Sequence, residues 1–364
     1  MHGQDGELTY HPYGNNGEAI YSIEREKLSA LLLNYVEAKN NIECYFNHKC
    51  LDIDLSTATL KICNTKTGEI KHIRKDRIFA ADGAYSIIRQ KMQSLKRFNY
   101  SQEYLDQGYK EITIPSCKNG NWALDKNSIH IWPRGNFMLI GFPNIDGSFT
   151  LSLHLPFEGK ISHNSIKSHS DIFLLFETYF PDILTLISSS LETYFDSPPE
   201  TMITIKCYPW TYQDKIALIG DASHAIFPSY GQGTNSGFED CQILYECLKK
   251  YSGNWQAIFE EYEAQRKPDA DAIADLCVEH FTVLRKLVGD PEFIIRNKIE
   301  RKLQELDPNY SSLYHNISFT CMPYSEASIL ERIHQAKIDK IAKIDHIESK
   351  LDSPDFHSFL INSF

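Results

Sequence analysis

The chain has 364 residues, 42% of them hydrophobic and 23% charged, proportions that exclude a disordered, collagen-like or small disulfide-stapled protein. Lys and Arg total 37 against 48 Asp and Glu, a net charge of −11, and no long basic run occurs, which argues against a nucleic-acid partner. The nine cysteines are odd in number and form no C-x-x-C pair. With no secretory signal at the start, they point to free thiols in a cytoplasmic setting. The fourteen histidines show no H-E-x-x-H or other ligand spacing, so no metal is expected.

In chain order, Met1 to Asn16 reads as loop and hairpin, and a helix is predicted from about Arg25 to Ala38 on the spacing of Leu28, Leu31, Leu32, Tyr35 and Val36. Short strands follow at Glu43–Phe46, Leu51–Asp54, Thr59–Ile62 and Arg77–Ala80, then Asp82-Gly83 and a helix near Ser86. Between Tyr109 and Cys207 the pattern alternates. Strands over 111–115, 128–132, 137–142 and 149–155, bounded by Gly, Pro, Asn and Asp, predict an antiparallel meander. Helical patterns cover 172–180 and 183–194. The apolar run from Ile172 to Ile187 is interrupted by Glu177, Thr178, Pro181 and Asp182, too short and polar to span a bilayer. Beyond Trp255 the chain is helical almost throughout, with Pro268, Pro291, Pro308 and Pro323 as expected breaks.

The segment from Ile216 to Cys241 carries most of the chemical information. An apolar strand, Ile216-Ala-Leu-Ile219, stops at Gly220-Asp221, leaving a carboxylate at the carboxyl end of a sheet strand, where open α/β sheets bind ligands. Such a carboxylate can accept hydrogen bonds from a sugar or polyol. Pro228, Gly231 and Gly233 let backbone approach a flat ligand. Thr234 and Asn235 open the next helix, whose free N–H groups suit an electron-rich oxygen. His224 lies beside the Gly-Asp pair and reads as structural. Gly231-Gln-Gly-Thr-Asn-Ser-Gly237 is one residue off the dinucleotide fingerprint.

This segment resembles the second FAD motif of single-component flavoprotein aromatic hydroxylases, and Ala81-Asp82-Gly83-Ala-Tyr-Ser-Ile-Ile-Arg89 resembles their Asp-Gly motif. Within that group the chain is similar to the kynurenine 3-monooxygenase family. The strings that carry the likeness are Pro12-Tyr13-Gly14, Ser22-Ile-Glu-Arg25, 109–115, His130-Ile-Trp-Pro-Arg134, Pro143-Asn144, Ser148-Phe-Thr150 and Gly237-Phe-Glu-Asp-Cys241. The resemblance implies hydroxylation of L-kynurenine to 3-hydroxykynurenine, in which NADPH reduces FAD and O2 gives a flavin hydroperoxide, so that the cofactor and not a protein nucleophile does the chemistry. It places Arg25, the backbone near Cys50, Asp221, Pro228, Gly231, Gly233, Thr234 and Asn235 on FAD. Asp82 and Arg89 fall near the pyrophosphate and the NADPH path, and Tyr13, His280 and Tyr324 at the substrate.

It also implies an α/β, Rossmann-like FAD-binding fold of the p-hydroxybenzoate hydroxylase type. The expected divisions are a first FAD-binding part over 1–106, a β-sheet substrate domain over 107–211, a second FAD-binding part over 212–268 and a C-terminal helical lobe and tail over 269–364. The family opens with a strand–turn–helix bearing G-x-G-x-x-G and an arginine for the substrate carboxylate, neither of which stands in this sequence. Roughly 80 residues, a βαβ unit and more, are therefore expected to be missing ahead of Met1, and the chain as given to bind FAD weakly and turn over negligibly. His280 replaces a family asparagine, Ser229-Tyr230 replaces two bulky residues, Thr234 a methionine and Ala80 a glycine. These changes leave open hydroxylation of another aromatic acid, or a non-catalytic fragment.

Overall fold

A computed structural model describes residues 1–10, 17–286 and 291–364. Tyr13 lies outside the described residues.

The first predicted helix forms as α1 (Arg25–Glu37), but none of its residues is buried. Leu31 and Tyr35 are 64% and 63% exposed, because no described element covers the apolar stripe that its spacing creates. A three-stranded antiparallel sheet follows from β1 (His48–Asp54), β2 (Thr59–Asn64) and β3 (Ile70–Arg74). The strand expected at 43–46 is irregular chain instead. Then come β4 (Ile78–Ala80) and the short α2 (Ile87–Met92), whose N-cap Ser86 accepts from the Arg89 N–H, satisfying one orphan donor of the first turn.

The meander is a five-stranded sheet in the order β6-β7-β8-β5-β9, from β5 (Asn99–Ile114), β6 (His130–Pro133), β7 (Met138–Pro143), β8 (Phe149–Pro156) and β9 (Glu200–Tyr208). Strand β5 is far longer than the sequence suggests because it pairs with β8 and β9 on its two edges. It also runs straight across the expected domain division at 106–107. Along β8 the side chains of Phe149, Leu151, Leu153 and Leu155 are fully buried, as a period of two requires. They meet Ile172 and Phe176 of α3 (His169–Tyr179), Phe180, Ile183, and Ile187 of α4 (Leu184–Ile187). Helix α3 starts at Ser168 with a reciprocal capping box to Asp171.

The remaining elements are β10 (Thr211–Tyr212), β11 (Ile216–Leu218), the one-turn α5 (Asp221–His224), α6 (Gly233–Tyr251), α7 (Trp255–Lys286), α8 (Pro291–Leu306), α9 (Leu313–Phe319), α10 (Tyr324–Ala342), α11 (Ile347–Lys350) and α12 (Pro354–Asn362). Pro268 does not break the chain. Helix α7 continues through it and across the expected division at 268–269, because Phe259, Tyr262, Ala270 and Ile273 keep one buried stripe on both sides. Pro291 does open a helix, and Pro323 is the N-cap of α10.

Strand β11 pairs in parallel with β4, Leu218 opposite Ala80, and antiparallel with β10. Their core unites β1, β4, β11, α2, α6 and α7. A separate cluster joins the second face of the large sheet (Met138, Met202, and Tyr109 at its margin) to Phe227, to Ile273, Cys277 and Phe281 of α7, and to Tyr324 and Ala327 of α10. The sheet is thus roofed on one side by α3 and on the other by the helices that border the candidate site. Among the described residues no helix is long and apolar enough to cross a membrane.

Candidate cofactor and substrate site

Parallel pairing of β4 and β11 brings Asp82-Gly83 and Gly220-Asp221 out at the same, carboxyl end of the sheet. The turn after β11 uses Gly220 at φ 60°, ψ −140°, a conformation open in practice only to glycine. A Cβ built on Gly220 would lie 3.9 Å from the Cα of Gly237 in α6, so that helix packs directly against the turn. Asp221 follows, exposed. Electrostatically it faces Arg25 at the start of α1. Partial burial works against the Arg25 charge, and Tyr109, Glu111 and Asp221 outweigh it and raise its pKa.

Beyond the turn, Pro228–Tyr230 makes one 3-10 turn closed by Gly231 in the left-handed region, and α6 begins at Gly233. Gly233 has no positive φ, and a Cβ there would meet only Ile226 at 3.9 Å. Nothing in the chain itself demands a glycine at that position, whereas a planar ligand lying on the helix mouth would. Thr234 and Asn235 are exposed in the first turn, where backbone N–H groups have no intrahelical acceptor. An exposed carboxylate, two bare glycines and a helix N-terminus fit the ribityl chain and flat ring of a flavin.

Cys50 sits at a bulge in β1, its thiol pushed up by burial and by the nearby Asp82, which places it at the same sheet end. Asp82 and Arg89 have local occupations. Asp82 Oδ2 accepts from the N–H groups of Ile87 at 2.9 Å and Ile88 at 3.4 Å, holding the start of α2. Arg89 is 1% exposed. Its Nη1 donates to the Ala222 carbonyl at 2.7 Å and its Nη2 to that of Ala84. The structure therefore gives Arg89 the task of stapling the Asp-Gly loop to the Gly-Asp turn, because both terminal nitrogens already have carbonyl partners inside the protein.

On the substrate side, Tyr324 is buried at the first position of α10. Its hydroxyl donates to Gln232 Oε1 at 3.1 Å, and burial holds its pKa up to about 12. Asn235 Nδ2 donates to the same oxygen at 2.9 Å. Gln232, not singled out from sequence, thus links the two expected ligand sites. His280 stacks on Tyr230, ring centroids 4.1 Å apart and 22° from parallel. Its Nδ1 is buried without a partner among the described residues, and Tyr230 is itself pushed up by burial. The His130–Arg134 string belongs to the sheet. His130 bonds His2 and the Asp125 carbonyl, Trp132 Nε1 donates to Asp182 at 2.7 Å, and Arg134 Nε donates to the Tyr179 carbonyl.

Burial lowers the His280 pKa to about 4, against the opposing pull of a backbone hydrogen bond at Ser229, and burial lowers His154 likewise to about 4. Each imidazole is therefore protonated in the unfolded chain before it is in the folded one. Stability is present above pH 6.5 and is lost as pH falls from there towards 4, by about 1.4 kcal/mol per pH unit for each histidine. Denaturant midpoints measured across this window should show His280→Asn flattening the acid side by one such increment.

Sequence reading also passed over Asp240 and Arg266. Asp240 is fully buried and Arg266 1% exposed. Asp240 Oδ2 accepts the Gly220 N–H at 2.8 Å and His224 Nε2 at 2.6 Å, and its Oδ1 accepts Arg266 Nε at 2.8 Å. His224 is structural, as expected beside the Gly-Asp pair. A signal for Arg266 did exist, since it stands on the buried stripe Phe259, Tyr262, Ala270 and Ile273, where an apolar residue belongs.

Residues 206–276, which contain the turn, the helix mouth and Asp240, match the family described as FAD binding domain. The chain is 42% identical over 363 residues to a kynurenine 3-monooxygenase of Christiangramia forsetii, covering all of this chain and 81% of that protein. The chain belongs to the kynurenine 3-monooxygenase family. A Dictyostelium discoideum protein of the same name is 37% identical over 357 residues, covering 94% of this chain and 77% of that one. The chain thus spans about four-fifths of the length of these two relatives.

Among solved structures, the tetrameric form of 2-methyl-3-hydroxypyridine-5-carboxylic acid oxygenase aligns with a TM-score of 0.58 at 20% identity, covering 74% of this chain and 69% of that one. A tetracycline destructase aligns at 0.52 and 19% identity over 77% and 75%. At such identities the likeness speaks for fold, and the fold is the α/β FAD-binding oxygenase fold expected from the motifs.

Proposed function

We propose that this protein is an FAD-dependent monooxygenase that hydroxylates L-kynurenine to 3-hydroxykynurenine with NADPH and O2. The observation that carries the reading is the joint placement of the Asp221 carboxylate, Arg25 and the glycine-lined mouth of α6 at one sheet end, within a chain 42% identical to an enzyme of that name. Bound FAD supplies the electron transfer and the activation of oxygen. The chain's own residues bind and orient. Asp221 would accept hydrogen bonds from the ribityl hydroxyls, and Arg25 would stay cationic beside it. The α6 N-terminus would stabilise negative charge on the ring oxygen it faces.

At the substrate, the Tyr324 hydroxyl and the neutral His280 would meet the polar end of the amino acid, with Tyr13 as a third contact. The apolar cluster of Phe227, Met138 and Phe281 would keep water from the aromatic ring. The test is kynurenine-stimulated NADPH oxidation by FAD-loaded protein, with 3-hydroxykynurenine as product, run on residues 1–364 and on the full-length gene product. Absence of stimulation in both would remove the reading. Tyr324→Phe should raise the kynurenine KM by about tenfold, the loss of one buried hydrogen bond, while flavin content stays unchanged.

The Tyr230–His280 stack supports a second reading, hydroxylation of another aromatic acid, because a second ring occupies space beside the expected substrate position. Stimulation by such an acid and not by kynurenine would decide for it.

A further inference from the structure

The buried charges behind the Gly220 turn continue beyond it. Arg266 contacts Glu239 Oε2 at 2.8 Å through Nη1 and donates through Nη2 to the Ser236 hydroxyl at 3.1 Å. Through Nη1 it also reaches Asp269 Oδ2 at 3.6 Å, one helical turn further along α7. Asp269 Oδ1 in turn accepts the Ser325 N–H at 3.0 Å and the Ser325 hydroxyl at 2.6 Å. Ser325 is the neighbour of Tyr324 in the first turn of α10. A single line of charge-assisted contacts therefore runs from the Gly220 amide through Asp240, Arg266 and Asp269 to the start of α10. Its central members are sealed from water, Asp240 at 0% and Arg266 at 1% exposure, where screening is weak and such bonds reinforce one another.

We propose that Asp240, Arg266 and Asp269 are positioning residues that couple the Gly220–Asp221 turn to the first turn of α10, so that the flavin-side carboxylate and the substrate-side tyrosine are set in register by one buried line. The assignment of flavin and substrate to the two ends rests on the reading above, and the mechanical coupling does not. None of the three is among the residues assigned above to FAD or to the substrate. Asp240 fixes the turn from behind through its backbone, and Asp269 fixes the α10 start through Ser325. The carboxylates outnumber the cation in the line, so Arg266 is held at both ends and transmits displacement of either.

The decisive measurement is peptide-resolved hydrogen exchange on Asp269→Asn, which changes only the α10 end, and on Asp240→Asn, which changes only the turn end. Coupling predicts that Asp269→Asn raises exchange over 219–224 and Asp240→Asn raises it over 323–328, each by about tenfold, with the β6–β8 strands unchanged. Effects confined to the mutated end, or spread evenly over the molecule, would overturn the proposal. Ser325→Ala, which removes one hydroxyl bond and leaves the amide bond, should give a smaller change of the same pattern if the carboxylate variants fold poorly.

In FAD titrations, Asp269→Asn should weaken affinity about fivefold in the wild-type background and not at all in Asp240→Asn, whereas a merely structural role would make the two effects additive. If the parent protein takes up no FAD, the flavin reading falls, while the exchange pattern still decides the coupling.

Discussion

Replacing Arg266 by methionine is expected to lower the unfolding free energy by about 3–5 kcal/mol, read as a shift in denaturant midpoint at constant slope. The magnitude follows from what the guanidinium leaves behind. Asp240 has no exposure and Asp269 8%, while Glu239, 39% exposed, also pairs with Arg266, so two carboxylates would lose their common cation where water scarcely reaches and a third would lose it at the margin. Burial alone pushes the Asp240 carboxyl up, but its bonds to His224 and Arg266 bring it below the usual range. Glu239, which burial already raises despite Arg266, would rise further. A loss below about 1 kcal/mol, the range of solvent-exposed pairs, would show that the cluster is hydrated and not sealed. Because the methylene stem of methionine fills much of the same space, the effect isolates charge from packing.

Asp221→Ala is expected to weaken FAD binding by about 10- to 100-fold, since hydrogen bonds to a charged acceptor contribute about 1.5–3 kcal/mol. Thermal stability should hold, because the side chain is exposed and bonds nothing that the fold needs. The measurement is a fluorescence titration of flavin-free protein beside a melting curve. The two predictions separate the layers of the site: Arg266→Met should cost stability, and Asp221→Ala affinity alone. Equal affinity in the parent and Asp221→Ala would move the ribityl chain away from β11 and leave the helix mouth as the only anchor.

Much of the architecture was legible because local period and burial agree. The alternation in Phe149–Leu155, the helix that begins near Ser86, and the apolar strand that stops at Gly220-Asp221 each state their conformation within a few residues. The strings around Gly231 and Gly237 carried the flavoprotein-hydroxylase resemblance, since close backbone approach leaves few alternatives to glycine, and the strings at 12–14 and 130–134 narrowed it to the family. Residues buried on both faces gave no such rhythm. Strand β9 went unnoticed because Met202, Ile203, Thr204 and Ile205 are buried in succession, and β3 because its side chains are mostly exposed.

What the sequence by itself determined is therefore the set of locally encoded elements, the flavin-oxygenase resemblance and the identity of the exposed carboxylate at the strand tip. Only the tertiary structure decided that β4 lies parallel to β11, that Pro268 stays within a helix, that Arg89 turns inward onto two carbonyls and that Asp240 and Arg266 form a sealed pair behind the turn. The physical reason is that a charge has no intrinsic depth. Its solvation and its partners are fixed by segments distant in the chain, and only their packing converts an ordinary arginine or aspartate into a positioning group.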